Sequence, residues 1–177
     1  SKKPVNYIDA ITVLENKASK LSEKTHGSEF IWILEHKPIY TCGTSFNKKD
    51  IIDNSIEIIR TNRGGKITYH GPGQLVFYFV INLNKRKKDI RWFINTIEKT
   101  IINTLEKYNI NAFNDKKNIG IWVEQNNQKK KIGAIGVKIK RWIAYHGFSL
   151  NISVDLNKYE KIKPCGLNKD VMTNLES

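Results

Sequence analysis

Cys165 sits in Lys163-Pro164-Cys165-Gly166-Leu167, and its flanking turn residues make it the candidate nucleophile of the chain. A thiol attacks as the thiolate, and a neighbouring ammonium or imidazolium favours that form near neutral pH. Lys131, Lys138, His70 and His146 are the residues along the chain that can supply such a charge. Spacing alone leaves two readings open for Cys165, a nucleophile or a buried structural thiol. The histidines read equally as hydrogen-bonded structural residues. Four His and two Cys with no HxxxH or HExxH spacing give no zinc pattern. There is also no GxxxxGK[ST] phosphate loop and no strand-linked GxGxxG. If the chain makes acyl bonds, a donor that is already activated, such as a thioester, is therefore simpler than an acid awaiting ATP.

A second stretch, Arg63 to Gln74, holds four glycines, one proline and one histidine, and the apolar run Leu75 to Ile81 follows it. Gly64-Gly65 permits close approach to a ligand, and Gly71-Pro72-Gly73 forces a tight turn. Between them Lys66 to Tyr69 alternates as a short strand. A turn feeding a buried strand, with Arg63, Thr68, Tyr69 and His70 as polar tips, builds a pocket wall. A plain glycine-rich hairpin is the other reading. Gly133-Ala134-Ile135-Gly136 supplies small residues that leave room beside a strand for an alkyl chain, and amides near Gly136 or Gly147 are candidates for holding an oxyanion.

The elements that must position these residues follow from periodicity. Residues 5–24 read as a helix with Tyr7, Ile11, Leu14, Ala18 and Leu21 on one face. Strands are expected at Glu29–Glu35, Ile56–Ile59, Lys66–Tyr69, Gln74–Leu83, Gly120–Val123, Lys131–Ile139 and Trp142–Ile152, the last broken near His146-Gly147. Asp89 is a plausible N-cap for the longest helix, Ile90 to Tyr108, whose apolar face carries Ile90, Phe93, Ile94, Ile97, Ile101, Ile102 and Leu105. Residues 39–50 and 109–118 read as loops. Two helices and about seven strands without strict βαβ alternation predict an α/β or α+β fold, a mixed central sheet with helices packed on it.

The 177 residues, with 40% hydrophobic content, fit one domain spanning 1–177. The net charge of +13 raises a nucleic-acid reading, but Lys outnumbers Arg 25 to 5 and no arginine stripe or stacking motif accompanies it. No nucleic-acid partner and no membrane partner are expected; an acidic protein partner suits the basic surface. The start, Ser1-Lys2-Lys3, has neither methionine nor a hydrophobic signal core, which predicts a processed or trimmed chain. Cys42 and Cys165 form no CxxC, so a reducing, cytoplasmic setting is expected, with a monomer as the default state.

Arg63 to Tyr78, RGGKITYHGPGQLVFY, closely resembles the signature of the octanoyltransferases of lipoate biosynthesis. Glu29 to Ser45, Lys131 to Ile152 and KPCGL at Lys163 to Leu167 resemble that family in its order and spacing, so the likeness covers residues 5–175. The resemblance implies a catalytic domain like those of biotin and lipoate protein ligases, and transfer of octanoyl from acyl carrier protein to a lysine of a lipoyl domain. The acceptors it implies are the lipoyl domains of 2-oxoacid dehydrogenase complexes and the glycine cleavage H protein, with no ATP and no metal as cofactor. It further implies Cys165 as the thioester-forming nucleophile and Lys131, five residues before Gly136, as the lysine that favours the thiolate and shuttles protons. Arg63, Gly64, Gly65, Lys66, Ile67, Thr68, Tyr69 and His70 match the substrate-contacting stretch. Ala134, Ile135, Gly136, Gly147, Phe148 and Ser149 match segments lining the acyl pocket. Lys129 and Lys130 stand beside Lys131, and Lys138 stands where that family often has Arg. Two rival readings on the same fold are an ATP-dependent lipoate or biotin ligase and an octanoyl amidotransferase. A non-catalytic binding module is the third rival.

Overall fold

The computed structural model describes residues 3–23 and 27–176. Helix α1 (Tyr7–Ser22) begins where the Asn6 side chain accepts the Ile8 and Asp9 amides. The predicted end at residue 24 lies outside the described residues. Strands β1 (Phe30–Leu34), β2 (Ile39–Cys42), β3 (Ile58–Arg60), β4 (Ile67–His70) and β5 (Gln74–Asn82) follow. Helix α2 (Ile90–Glu106) is capped by Asp89 as expected and leads to β6 (Ala112–Asn114), β7 (Ile121–Gln125), β8 (Gln128–Lys140) and β9 (Ile143–Asn151).

Six strands form one sheet in the order β1-β5-β9-β8-β7-β6, antiparallel throughout. The smaller sheet, β3-β2-β4, contains the parallel pair that makes the overall pairing mixed. The two helices cover opposite faces of the large sheet. Ala10, Leu14, Ala18 and Leu21 of α1 pack on Val76, Tyr78, Val80, Ile143 and Tyr145, while Phe93, Ile97, Ile101 and Leu105 of α2 pack with Phe79, Ile121, Ile132 and Ala144. Strand alternation in β5 thus feeds two cores at once.

Several elements differ from expectation. Residues 39–50 contain β2, which pairs with β3 and β4, and residues 109–118 contain β6, which pairs with β7. The loop expected at Glu124–Lys130 shrinks to a hairpin. Asn126 and Asn127 both adopt positive φ (52° and 57°), the geometry of a tight two-residue turn, so β8 starts at Gln128. Arg141 and Trp142 turn the next hairpin in the same way (φ 51° and 63°), which removes Trp142 from β9. At His146-Gly147 the ladder runs unbroken against both β5 and β8, yet His146 takes φ 67°. Its ring leaves the side that alternation assigns and stacks on the adjacent Tyr145 (5.1 Å between centroids). Ile90, placed on the α2 core face by periodicity, is 50% exposed.

Candidate active site

Cys165 lies in a single turn between Pro164 and Gly166 with φ 56° and ψ 18°, a left-handed conformation that costs a non-glycine residue on the order of 1–2 kcal/mol. It stands at the junction of two cavities. The inner one, about 50 Å³, is enclosed by Arg63, Gly65, Lys66, Thr68 and His70 from the β4 side. Ala134, Ile135, Gly136, Gly147, Phe148 and Ser149 enclose it from β8 and β9, and Tyr7, Val76, Tyr78 and His146 from beneath. The outer one, about 510 Å³, is lined by Gly64, Lys117, Asn118, Ile119, Lys131, Ile90, Ile94 and Leu167, among others. Gly65, Lys66, Ala134, Ile135, Gly136 and Cys165 belong to both and form the wall between them.

Nearly all the residues singled out in the sequence therefore meet around Cys165. Ile67 and Tyr69 do not. They alternate to the other side of β4 and sit in the core of the small sheet with Cys42, Val154 and Tyr159, at 0% and 3% exposure. Tyr7, Val76 and Tyr78 line the inner cavity without having been assigned to it. The signal was present, since Val76 and Tyr78 share one face of β5 and Tyr7 begins the apolar stripe of α1. Gly147 has strands on both sides, so its peptide groups face the ladder rather than a substrate. Its role is close packing, because a Cβ there would collide with the Phe77 carbonyl.

Lys131 is 2% exposed. Its Nζ donates to the Ile119 carbonyl at 2.8 Å and lies 5.4 Å from the Trp122 ring centre. Beside it β8 carries one extra residue, since Ile121 pairs with Gly133 but Trp122 with Lys131, and such bulges re-aim neighbouring side chains. Among the described residues Lys131 has no carboxylate partner. A buried ammonium without an anion is costly, and a thiolate across the cleft would offset that cost. Of its neighbours, Lys129 pairs with Asp115 at 3.8 Å and Lys130 donates to the Asp170 carbonyl, so neither competes for the role.

The other charge donors considered for Cys165 separate cleanly. Lys138 lies over the Tyr145 ring and lines a different cavity. His70 and His146 reach the inner cavity, but burial above all, then the charges around them (Arg63 for both), pushes both down to about 3. Each is a neutral imidazole at pH 7. His70 Nδ1 faces Gln74 Oε1 at 2.6 Å; the Gln74 amide donates to the Tyr69 carbonyl and Asn151 Oδ1, so His70 carries its proton on Nδ1. His36, held down by burial, donates from Nδ1 to the Val5 carbonyl and accepts from the Tyr78 hydroxyl on Nε2. Cys42 is 2% exposed and burial raises its thiol, which marks it as a structural cysteine.

Arg63 points its guanidinium at the Thr41 carbonyl and hydroxyl (3.0 and 2.9 Å) and at the Gly64 carbonyl, fixing the glycine loop from within. Arg63 Nε, Tyr7 Oη, Thr68 Oγ1 and His146 Nδ1 are buried and unpartnered, and all four residues line the inner cavity. Among the described residues no group of three or more His, Cys, Asp or Glu is placed to hold a metal ion.

Comparison with known proteins gives the lineage. The model of the lipoyl protein ligase A/B catalytic domain matches residues 12–177. Octanoyltransferase from Anaplasma phagocytophilum (strain HZ) is 40% identical over 175 residues, 98% of this chain and 84% of the relative. That of Wolbachia pipientis wMel is 41% identical over 173 residues, 97% and 84% respectively. Among solved structures, lipoate-protein ligase A bound with ATP superposes with a TM-score of 0.67 at 17% identity, covering 91% of this chain and 72% of that one. The bi-partite lipoate protein ligase of Thermoplasma acidophilum gives 0.63 at 17% identity, covering 85% and 61%. The structural likenesses speak for the shared fold, and the sequence matches for descent: the chain belongs to the lipoyl protein ligase A/B catalytic domain family.

Proposed function

We propose that this chain transfers an octanoyl group from the thioester of an acyl carrier protein to the lysine of a lipoyl domain, by way of acyl-Cys165. The observation that carries the mechanism is the meeting of Cys165 and the buried, anion-free Lys131 on one cleft. In this reading the reaction starts from a Cys165 thiolate and a Lys131 ammonium. The Cys165 sulfur attacks the donor carbonyl, a new C–S bond forms, and the carrier sulfur leaves with a proton from Lys131. The acceptor lysine then attacks the acyl-enzyme. Lys131, now a neutral amine, takes its proton, and Cys165 departs as thiolate, so the ion pair is restored.

The inner cavity takes the acyl chain in this reading and the outer cleft receives the donor arm and then the acceptor lysine. At about 50 Å³ the inner cavity has room for about one or two waters, so the chain displaces side chains as it enters. The unpartnered polar atoms of Arg63, Thr68, Tyr7 and His146 are available to polar atoms of the substrate. The proposed acceptors are the lipoyl domains of 2-oxoacid dehydrogenase complexes and the glycine cleavage H protein. The enzyme is proposed to act as a cytoplasmic monomer, without ATP or metal.

Intact-protein mass after mixing with octanoyl-acyl carrier protein, in the absence of ATP and acceptor, tests this. A hydroxylamine-labile octanoyl adduct mapping to Cys165 is expected, and none in Cys165→Ser. No adduct, with lipoyl-domain labelling that needs ATP and free octanoate, would replace the transferase with a ligase.

A further inference from the structure

The Ile119–Gly120 peptide has a partner at each end. Its carbonyl accepts from Lys131 Nζ at 2.8 Å, and its N–H donates to Glu98 Oε1 at 3.4 Å. Glu98 is 4% exposed on the core face of α2, and its second oxygen accepts from Asn114 Nδ2 at 3.1 Å. Among the described residues this buried carboxylate has no cation in direct contact. Gly120 has φ 144°, and a Cβ there would meet Lys131 Cε at 2.5 Å, so carboxylate, peptide and ammonium are stacked without a gap. A peptide group whose N–H is bound to an anion is polarised and presents a stronger carbonyl acceptor. The titratable groups that line the cleft with Lys131 are Lys66 and Lys117, both repulsive, and Cys165. Behind the peptide, Glu98 is the balancing negative charge.

We infer that Glu98 is a positioning residue of the acyl-transfer site, holding Lys131 oriented and charged through the Ile119–Gly120 peptide. The inference rests on the role of Lys131 proposed above. Indirect anchors of this kind commonly matter about 10–100-fold when removed from metal-site ligands, and the same logic applies to an ammonium.

Competitive acetylation by trace acetic anhydride at pH 8, mapped by peptide mass, reads the free-amine fraction of each lysine. In Glu98→Gln, which retains a carbonyl oxygen for the Gly120 N–H but no charge, Lys131 is expected to label roughly tenfold faster relative to Lys117. The kcat should fall about tenfold with the donor KM unchanged. Glu98→Asp keeps the charge and should label within about twofold of wild type, and it carries the test should the Gln variant not fold. Unchanged Lys131 labelling in Glu98→Gln, or fast labelling in Glu98→Asp, overturns the inference. Lys131→Met separates it from the underlying mechanism. Full turnover there removes Lys131 from the chemistry, whereas lost turnover there with unchanged labelling in Glu98→Gln discards Glu98 alone.

Discussion

At the scale of single residues, Cys165 holds its sulfur on the wall between two cavities by adopting a conformation that L-residues disfavour. Function and stability should therefore pull apart there. Cys165→Gly is expected to be more stable than Cys165→Ala by about 1 kcal/mol in urea unfolding, because glycine accepts φ 56° without a Cβ penalty. Both variants should fail to form the octanoyl adduct. Equal stability of the two would mean that the turn carries no strain. The candidate thiol was singled out in the sequence by its proline and glycine flanks, while the choice among Lys131, Lys138, His70 and His146 was left open. That choice depends on burial, which neutralises both imidazoles, and on which strand edge each lysine leaves.

At the scale of elements, α2 carries the buried anchor of the 114–120 loop, and Asp89 starts the helix by accepting the Trp92 amide at 2.9 Å. Asp89→Ala should cost about 1 kcal/mol and lower Tm by about 2–4 °C by differential scanning calorimetry, with kcat close to wild type, since the cap lies about two and a half turns from Glu98. A collapse of activity without loss of stability would contradict a purely structural cap. Helix α2 and its cap were readable because capping and 3.6-residue periodicity are local. Strands β2 and β6 were missed because both lie in polar, turn-like stretches read as loops; β2 is defined by pairing with β3 and β4, and β6 by pairing with β7. The assignment of Ile67 and Tyr69 to the site failed for a related reason. Alternation separates them from Thr68 and His70, but only the packing of β4 says which face meets the substrate.

At the scale of the whole molecule, three buried histidines tie stability to pH. His36, His70 and His146 are all held down in the fold, the last two to about 3 against an ordinary value of 6.5. Between about 6.5 and about 3 the unfolded chain binds protons that the fold refuses, so stability is complete above that window and falls as pH drops through it. Going from pH 7 to pH 5 should lower the unfolding free energy by about 2 kcal/mol for each of His70 and His146, read from urea titrations at the two pH values. A flat profile over that range would mean that these imidazoles are solvated. Among the described residues no helix is long and apolar enough to cross a membrane. The sequence by itself determined the two helices, the α+β class and most of the segments that line the two cavities around Cys165, because periodicity, capping and turn chemistry act between near neighbours. Only the tertiary structure decided which of the candidate lysines shares a cleft with Cys165, which side of β4 is the wall, and that Glu98 on α2 stands behind the Lys131 ammonium. Those facts are distances between segments remote in sequence, set by sheet order and by how the two helices cover its faces.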